Sequence, residues 1–462
     1  MHEIMHKGLN FALKCSDCDQ VEIYGELSDV LYIDLDREEV KRVKRVKSRG
    51  VGVRVIISNK IGFSHTTALE KGKIEECVEH ALKQAQVSEH DKHFAGLPTP
   101  ASASTTMPDY KYKEQENMPD PRIVDLLDAE SGNEAAIMLC KELLTGIQEY
   151  KDKVPEGVRC MPTEGCFAVG FNETYILNSE GIETDDKGTY VSAGITVVAT
   201  GSEGSGEETS GYEGAVRRTL SEMNFVEIGR TAAEVAVASL GAKKFRTAEL
   251  PVILSPRAVQ SLFAYTVIPQ LNAENVQRHQ SPYHGKIGEA ISSEILTFVD
   301  DGTMLSGVNS RKMDGEGVPS QYTIIVEDGI LKNFLYDSYT ASKDRTESTG
   351  NAIRSFDSLP APGATNFIIK SEGGGRGGRG RRRRRSASVS KEEIIADIRD
   401  GLFVNDVIGA HTASRASGEF SVVAQNAFGI KNGDLFPVTQ VMISGKMETV
   451  LKDVELVGDD TR

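Results

Sequence analysis

A change of hydrophobic period between residues 51 and 87 constrains the fold more than any other feature of the chain. Apolar residues first alternate with other residues, which is typical of a half-buried strand: Val51, Val53, Val55 and Ile57. Residues 58–60 are turn-like, and 61–65 can return as the second strand of a hairpin. Apolar residues then recur at helical spacing over 68–87, behind a capping box at 67–70. We therefore expect an N-terminal α/β domain with a mixed sheet and flanking helices.

The later half of the chain has a different pattern. Past residue 295 most apolar segments are short, and they are separated by turn residues such as Asn432-Gly433. This pattern predicts a C-terminal domain of mainly antiparallel β-sheet with a few helices. The whole chain is then of the α+β class. We place the domains at 1–222 and 223–462, with a further sub-boundary possible in the Pro-, Ser- and Thr-rich stretch 95–121.

Short signals inside these blocks give further expectations. The Gly- and Glu-rich stretch 201–214 has no Lys for a phosphate cradle, and we expect a mobile loop there. Ser255 offers an N-cap to a helix that Pro269 should end.

Composition excludes several classes of protein. No segment approaches the roughly 20 consecutive apolar residues of a membrane-spanning helix. All six cysteines lie within the first 166 residues, which favours a reducing cytoplasm over a disulfide-linked secreted fold. The net charge of −15 repels nucleic acid. We expect a cytoplasmic protein that binds neither membrane nor nucleic acid.

One basic segment runs against this charge. Arg376, Arg379 and the arginines at 381–385 fall in a glycine-spaced insertion at 372–390. We interpret it as a solvated, disordered loop, because no aromatic residue interleaves it. The alternative is a nucleic-acid contact, which would make the protein a nucleic-acid-binding regulator.

Common catalytic motifs are not found where a peptidase would need them. The block 250–354 contains neither His-Glu-x-x-His nor Gly-x-Ser-x-Gly. Cys15 and Cys18 have CxxC spacing, but no second pair of zinc ligands lies nearby. His279 and His284 could share a metal or lie free on the surface.

Short motifs follow one another along the chain in a characteristic order. They are Gly50-Val51-Gly52-Val53-Arg54, Val299-Asp300-Asp301-Gly302, Met313-Asp314-Gly315-Glu316-Gly317-Val318-Pro319, Ser348-Thr349-Gly350-Asn351-Ala352 with Arg354, Gly401-Leu402-Phe403-Val404, Gly418-Glu419-Phe420-Ser421, Ile443-Ser444-Gly445 and Val457-Gly458-Asp459. Their order and spacing resemble the TldD/PmbA family, often called modulators of DNA gyrase, so a DNA gyrase-associated regulator is a further alternative.

The resemblance implies a specific branch of the family. In the TldD branch, a His-Glu-x-x-x-His motif and a C-terminal cysteine hold zinc. Ala264, Tyr265 and Pro269 stand at the corresponding positions here, and no cysteine follows Cys166. The chain therefore looks like the PmbA/TldE branch, with no catalytic or metal-binding residue and no cofactor of its own.

The same resemblance implies a function and partners. We expect a non-catalytic subunit that degrades unfolded peptides or processes leader peptides together with a TldD-type partner holding zinc, or else a homodimer. The alternative within the enzyme class is an active metallopeptidase with an unconventional site at His279, His284 or His411. Asp314, Glu316, Asn351, Arg354 and His411 are candidates for either a peptide groove or a structural role.

Overall fold

The computed structural model describes residues 1–461 except 16, 101–111, 114–117, 129, 203–205 and 372–388. The basic insertion predicted at 372–390 therefore lies outside the described residues, apart from its last two positions. The N-terminal part is a six-stranded sheet in the order β3-β2-β1-β4-β5-β6. Its strands are β1 (Gln20–Asp36), β2 (Glu39–Ile57), β3 (Lys60–Thr66), β4 (Arg159–Asn178), β5 (Glu183–Thr200) and β6 (Glu208–Arg217).

Every strand pair in this sheet is antiparallel. The expectation of a mixed N-terminal sheet is therefore wrong, whereas the α+β class is confirmed. Tight turns join β1 to β2, β2 to β3 and β4 to β5, and a short connection can only reverse the chain. Only parallel strands would have needed helical crossovers.

Helices cover one face of the sheet. They are α1 (His2–Ala12), α2 (Lys71–Val87), α3 (Pro121–Asp128), α4 (Glu130–Lys151) and α5 (Phe225–Ala238). Odd-numbered residues of β1 point into two cores under these helices: Val21 and Ile23 under α1 and α2, and Leu31 and Ile33 under α3 to α5. Even-numbered residues of β1 therefore lie on the opposite face, which no helix of the N-terminal part covers.

Helices α4 and α5 approach each other unusually closely. A Cβ atom on Gly229 would lie 1.8 Å from the Leu143 carbonyl oxygen, and one on Gly146 would lie 1.9 Å from the Val226 oxygen. Helix α5 thus packs within the N-terminal core, although the sequence boundary was drawn before it at 222/223.

Two local expectations about the N-terminal part are wrong. Residues 208–214, at the end of the stretch where we expected a mobile loop, belong to β6, and Gly211 lets the Ala232 carbonyl of α5 lie against this strand. Helix α2 begins at Lys71 after Glu70, and no side chain caps it, so the capping box at 67–70 does not form.

The C-terminal part contains a four-stranded sheet in the order β10-β9-β8-β13 and a five-stranded sheet, together with a separate two-stranded pair of β11 and β12. In the second sheet the order is β16-β15-β14-β7, with β17 also pairing with β15 and a parallel pair between β7 and β14. The strands are β7 (Val252–Leu254), β8 (Leu296–Asp301), β9 (Tyr322–Glu327), β10 (Ile330–Leu331), β11 (Ala352–Ile353), β12 (Ala361–Pro362), β13 (Phe367–Ser371), β14 (Asp400–Ile408), β15 (Glu419–Lys431), β16 (Asp434–Pro437) and β17 (Val441–Lys446).

Short helices surround these sheets. They are α6 (Pro256–Tyr265), α7 (Val267–Gln270), α8 (Ala273–Gln277), α9 (Ser338–Asp344), α10 (Lys391–Ala396) and α11 (Met447–Lys452). Ser255 caps α6 as predicted, accepting from the Ala258 N–H. Pro269 does not end a helix, because it lies in the first turn of α7, where no intrahelical N–H donor is needed. Within the described residues, no helix combines the length and the apolar composition that crossing a membrane requires.

Candidate functional site

A cluster of buried charges joins the two parts of the molecule. Glu22 of β1 and Arg54 of β2 are paired in register on the face of the sheet that carries no helix. The C-terminal part supplies Glu316 and Arg354. Arg54 Nη2 donates to Glu22 at 2.8 Å and to Glu316 at 3.1 Å, and Arg354 donates to the other oxygen of Glu22. We call Glu22, Arg54, Glu316 and Arg354 the interdomain ion cluster.

The cluster is closed to solvent. The side chains of Glu22 and Arg354 are 0% exposed, and those of Arg54 and Glu316 are 5% and 2% exposed. Burial alone would raise the pKa of Glu22, but Arg54 and Arg354 together lower it below its ordinary value. Arg354 also lies over the Tyr24 ring, 4.7 Å from its centroid. Two buried carboxylates and two guanidinium groups thus neutralise one another between the domains.

Asp314 lies beside the cluster and is fully buried. Its carboxylate accepts N–H bonds from Glu316 at 2.9 Å, Val318 at 3.0 Å and Ala352 at 3.0 Å. Burial, together with the charge of Glu316, nevertheless raises its pKa to about 7. Asp314 shapes the turn that presents Glu316 to the N-terminal sheet.

Asp337 approaches Glu316 from another direction. It caps α9 through the Thr340 N–H, and the next residue, Ser338, donates its N–H to Glu316 at 2.9 Å. Burial and the Glu316 charge raise the pKa of Asp337 to about 6. Asp314 and Asp337 therefore both lie in the buried region around Glu316, and the pKa of each is raised toward neutral pH.

Asn351 belongs to a separate network within the C-terminal part. Its Nδ2 donates to Asp300 at 2.6 Å and to the Gly363 carbonyl at 3.0 Å. Asp300 also accepts from the backbone and hydroxyl groups of Thr365. These hydrogen bonds connect the segments around Asn351, Asp300 and Gly363. The Asn351 side chain is 1% exposed, so a bound peptide could not reach it in this conformation.

An open cleft lies on the same face of the N-terminal sheet, farther along the strands. It measures about 640 Å³, and its lining includes Asp34, Arg42, Cys166, Gly194 and Tyr212. Arg42 and Asp34 pair at 2.6 Å. The Tyr212 ring lies over Gly194, where a Cβ atom would be 2.5 Å from the phenolic oxygen. The cleft lies within the volume range of ligand sites and is lined by both polar and apolar groups.

Helix α6 borders this cleft at its N-terminal end. Arg257 donates to Glu213 at 2.7 Å, and its guanidinium lies 4.9 Å from the centroid of the Tyr212 ring. At the other end of α6, the exposed Tyr265 ring lies 6.3 Å from the exposed ring of His411. His411 is thus separate from the interdomain ion cluster.

Comparison with known proteins identifies the family. The chain matches the PmbA/TldA metallopeptidase domain 1 over residues 21–85, the central domain over 128–240 and the C-terminal domain over 247–462. This chain belongs to the TldD/PmbA metallopeptidase family.

Individual relatives extend over nearly the whole chain. An uncharacterised protein of Methanocaldococcus jannaschii is 32% identical over 95% of this chain and 92% of its own length. The metalloprotease PmbA of Escherichia coli O157:H7 is 24% identical over 99% and 92%. The crystal structure of TldE from Thermococcus kodakarensis superposes with a TM-score of 0.80 at 25% identity, covering 98% of this chain and 94% of that one.

The sequence resemblance places the zinc ligands of a TldD-type metallopeptidase at Ala264, Tyr265 and Pro269, and these residues do not suit zinc. Ala264 and Pro269 carry no donor atom, and Tyr265 is the only one of the three with a polar side chain. Within the described residues, one group of three or more His, Cys, Asp or Glu ligand atoms lies within 4.8 Å, and it consists of His2, His6 and Glu183. His279 and His284 have rings 4.2 Å apart but belong to no such group.

The structure adds residues that the sequence argument missed. Glu22 and Arg54 complete the interdomain ion cluster. Arg54 could have been proposed as a site residue because it ends the Gly50–Arg54 motif. His2-Glu3-Ile4-Met5-His6 has His-Glu-x-x-His spacing, and the sequence argument overlooked this motif. The CxxC cysteines are free, and burial raises the pKa of Cys18 to about 11, which disfavours a reactive thiolate.

Proposed function

We propose that this chain is the non-catalytic subunit of a TldD/TldE-type metallopeptidase complex, which acts on unfolded peptides or leader peptides. The proposal is supported by Ala264 and Pro269, whose side chains carry no donor atom at the positions where the resemblance to the TldD branch would place two histidines. The zinc-bound water that attacks the peptide bond would then belong to the partner chain. That partner is a TldD-type subunit with a His-Glu-x-x-x-His motif, and a second copy of this chain is the alternative.

The cleft supports a role in holding the substrate. An extended peptide needs a long, open surface, which the cleft offers across β1, β2, β4, β5 and β6. Arg42, Asp34 and Tyr212 on the walls can contact its polar groups. The cleft also lies next to α6, the helix that corresponds to the zinc-binding helix of TldD-type relatives. One wall of a shared peptide channel is therefore the contribution we assign to this chain.

Co-purification tests the partnership. The untagged protein is isolated from native cells by a mild affinity step and size-exclusion chromatography, and co-eluting chains are identified by mass spectrometry. We expect a TldD-type chain at one-to-one stoichiometry. We also expect peptide hydrolysis that requires this partner and its zinc. Elution as a homodimer alone, or hydrolysis by the isolated zinc-loaded chain, would contradict the proposal.

Cys166 allows a direct test of the cleft. It is the exposed cysteine of the chain, whereas Cys77, Cys140 and Cys160 are buried. Burial and the Asp34 charge raise its pKa, so labelling with a maleimide photocrosslinker needs mildly alkaline buffer. The labelled protein should crosslink to an unfolded peptide on illumination. The control is Cys166→Ser, in which label can attach only at half-buried Cys15 and Cys18, and equal crosslinking there would remove the cleft from the proposal.

A further inference from the structure

Two histidines and a glutamate converge where α1 meets the hairpin between β4 and β5. His2 and His6 are one helical turn apart, so they share a face of α1. Glu183 is the first residue of β5. His6 Nε2 lies 2.9 Å from Glu183 Oε1, and His2 Nδ1 lies 3.7 Å from the same oxygen.

These donors match one class of ligand. Two imidazole nitrogens and one carboxylate oxygen suit zinc and its neighbours in the first transition row, whereas magnesium and calcium prefer oxygen alone. Tetrahedral zinc with bonds near 2.0–2.1 Å separates its ligand atoms by about 3.3 Å. The three ligand atoms already lie within 4.8 Å of one another, so small side-chain rotations suffice. All three side chains are between 41% and 51% exposed, which leaves a fourth position open to water.

A simple ion pair does not explain both histidines. His6 alone is within hydrogen-bond distance of Glu183. His2 is held by a different contact, the edge-on packing of its ring against Tyr175 at 4.8 Å between centroids. Its Nδ1 faces the same carboxylate oxygen from 3.7 Å, beyond hydrogen-bond range, so pairing with Glu183 does not account for its position.

We propose that His2, His6 and Glu183 bind one zinc-class divalent cation that ties α1 to the β4–β5 hairpin. The role is structural rather than hydrolytic. Glu3, which a His-Glu-x-x-His peptidase would use as general base, is paired with Lys7 and 83% exposed. The cleft described above is lined by other residues.

The position of the site gives the metal a consequence for the domain interface. Ile176 and Ile182, at the tip of the same hairpin, pack with Tyr24 and Phe356 between the two parts of the molecule. An ion that binds the folded hairpin and not the unfolded chain stabilises the folded state, and the stabilisation grows with the logarithm of the free ion concentration above the dissociation constant. This inference is independent of the proposed partner and of the peptidase reaction.

Zinc and cobalt titrations of the full-length, untagged protein test the site. After treatment with EDTA and dialysis, calorimetry with zinc chloride should show one saturable site. Cobalt should give the visible absorption of a low-symmetry complex with nitrogen and oxygen ligands. His2→Ala and Glu183→Gln should each weaken zinc binding at least about tenfold and abolish the zinc-dependent rise in melting temperature.

His279→Ala is the matched control, because it removes an imidazole next to another histidine without a third ligand, and it should bind zinc like the wild type. His2 is half-exposed, so its replacement should leave the fold intact even if His6→Ala does not. The absence of saturable binding, or wild-type affinity in His2→Ala, would reduce the cluster to an ion pair of His6 and Glu183. Zinc-dependent peptide hydrolysis that is lost in Glu3→Gln would overturn the structural role.

Discussion

At the scale of single residues, Asp314 links protonation to stability. Its folded pKa is raised from 3.8 to about 7, so the folded state holds a proton that the unfolded state releases. The contribution of Asp314 to the free energy of unfolding is therefore fully present at low pH and is lost as the pH rises from about 4 to about 7. The free energy of unfolding falls by at most about 1.4 kcal/mol per pH unit over this range. Asp314→Asn should flatten that slope, although losing the Ala352 N–H bond lowers stability at every pH. Urea unfolding across this range checks the slope, and an unchanged slope would contradict the assignment.

Arg354 should be among the most costly residues of the chain to replace. Arg354→Met leaves Glu22 buried with Arg54 as its remaining cation, and breaking a buried pair costs about 3–5 kcal/mol. The matched control is Arg278→Ala at an ion pair whose arginine is 62% exposed, which should cost less than about 1 kcal/mol. In a double-mutant cycle, Arg354→Met with Glu22→Gln should cost less than the sum of the two. Equal losses in Arg354→Met and Arg278→Ala, measured by urea unfolding, would show that the cluster does not join the domains.

The candidate residues could be named from the sequence, but their neighbours could not. Asp314 and Glu316 stood out as charges within a Gly-rich motif, and Arg354 as a charge just after the motif at 348–352. Their partners Glu22 and Arg54 lie more than 250 residues away in sequence, and which face of β1 and β2 they occupy depends on strand register. Local patterns do not encode that register, so the choice between a peptide groove and a structural role needed the burial of each side chain.

At the scale of elements, glycines set the distance between α4 and α5. Gly229→Ala gains helix propensity of up to about 1 kcal/mol, but its Cβ would lie 1.8 Å from the Leu143 carbonyl. Backbone cannot yield as a side chain can, so we expect a net loss of about 1–3 kcal/mol or more. Gly72→Ala in α2 meets nothing within 4 Å and should instead stabilise by about 0.4–1 kcal/mol. Thermal unfolding of both variants should give shifts of opposite sign, and a shared sign would rule out the close contact.

Element types were easier to predict than element lengths. From the sequence, 20–25 and 30–36 are predicted as two separate strands, but they form one strand, β1, whose middle is polar. That polar stretch includes Glu26 and Asp29, which pair with Thr174 and Phe171 of β4 and with Gly50 and Lys47 of β2. Strand pairing on both sides holds the segment extended, and such long-range pairing overrides a local break in hydrophobicity.

At the scale of the whole molecule, the two parts meet where Gly52 lets a loop of the C-terminal part lie on β2. A Cβ atom on Gly52 would be 2.3 Å from the Phe356 carbonyl oxygen, whereas one on Gly188, on the same face of the same sheet, has its nearest contact at 3.7 Å. Gly52→Ala should therefore loosen the interface, and Gly188→Ala should not.

Hydrogen exchange can resolve this opening because the Phe356 N–H donates across the interface to Glu26 at 3.1 Å. In Gly52→Ala, peptides containing Phe356 should exchange roughly ten- to hundredfold faster, since about 1–3 kcal/mol of overpacking strain favours the open state. Exchange should keep wild-type rates in peptides from two cores, because each part of the molecule retains its own core. The one in the N-terminal part lies under α4 and α5, and the one in the C-terminal part surrounds Phe298. If exchange instead rose everywhere, the chain would behave as one cooperative unit. If exchange at Phe356 rose equally in Gly188→Ala, the faster exchange could not be assigned to the close contact of Gly52 with Phe356.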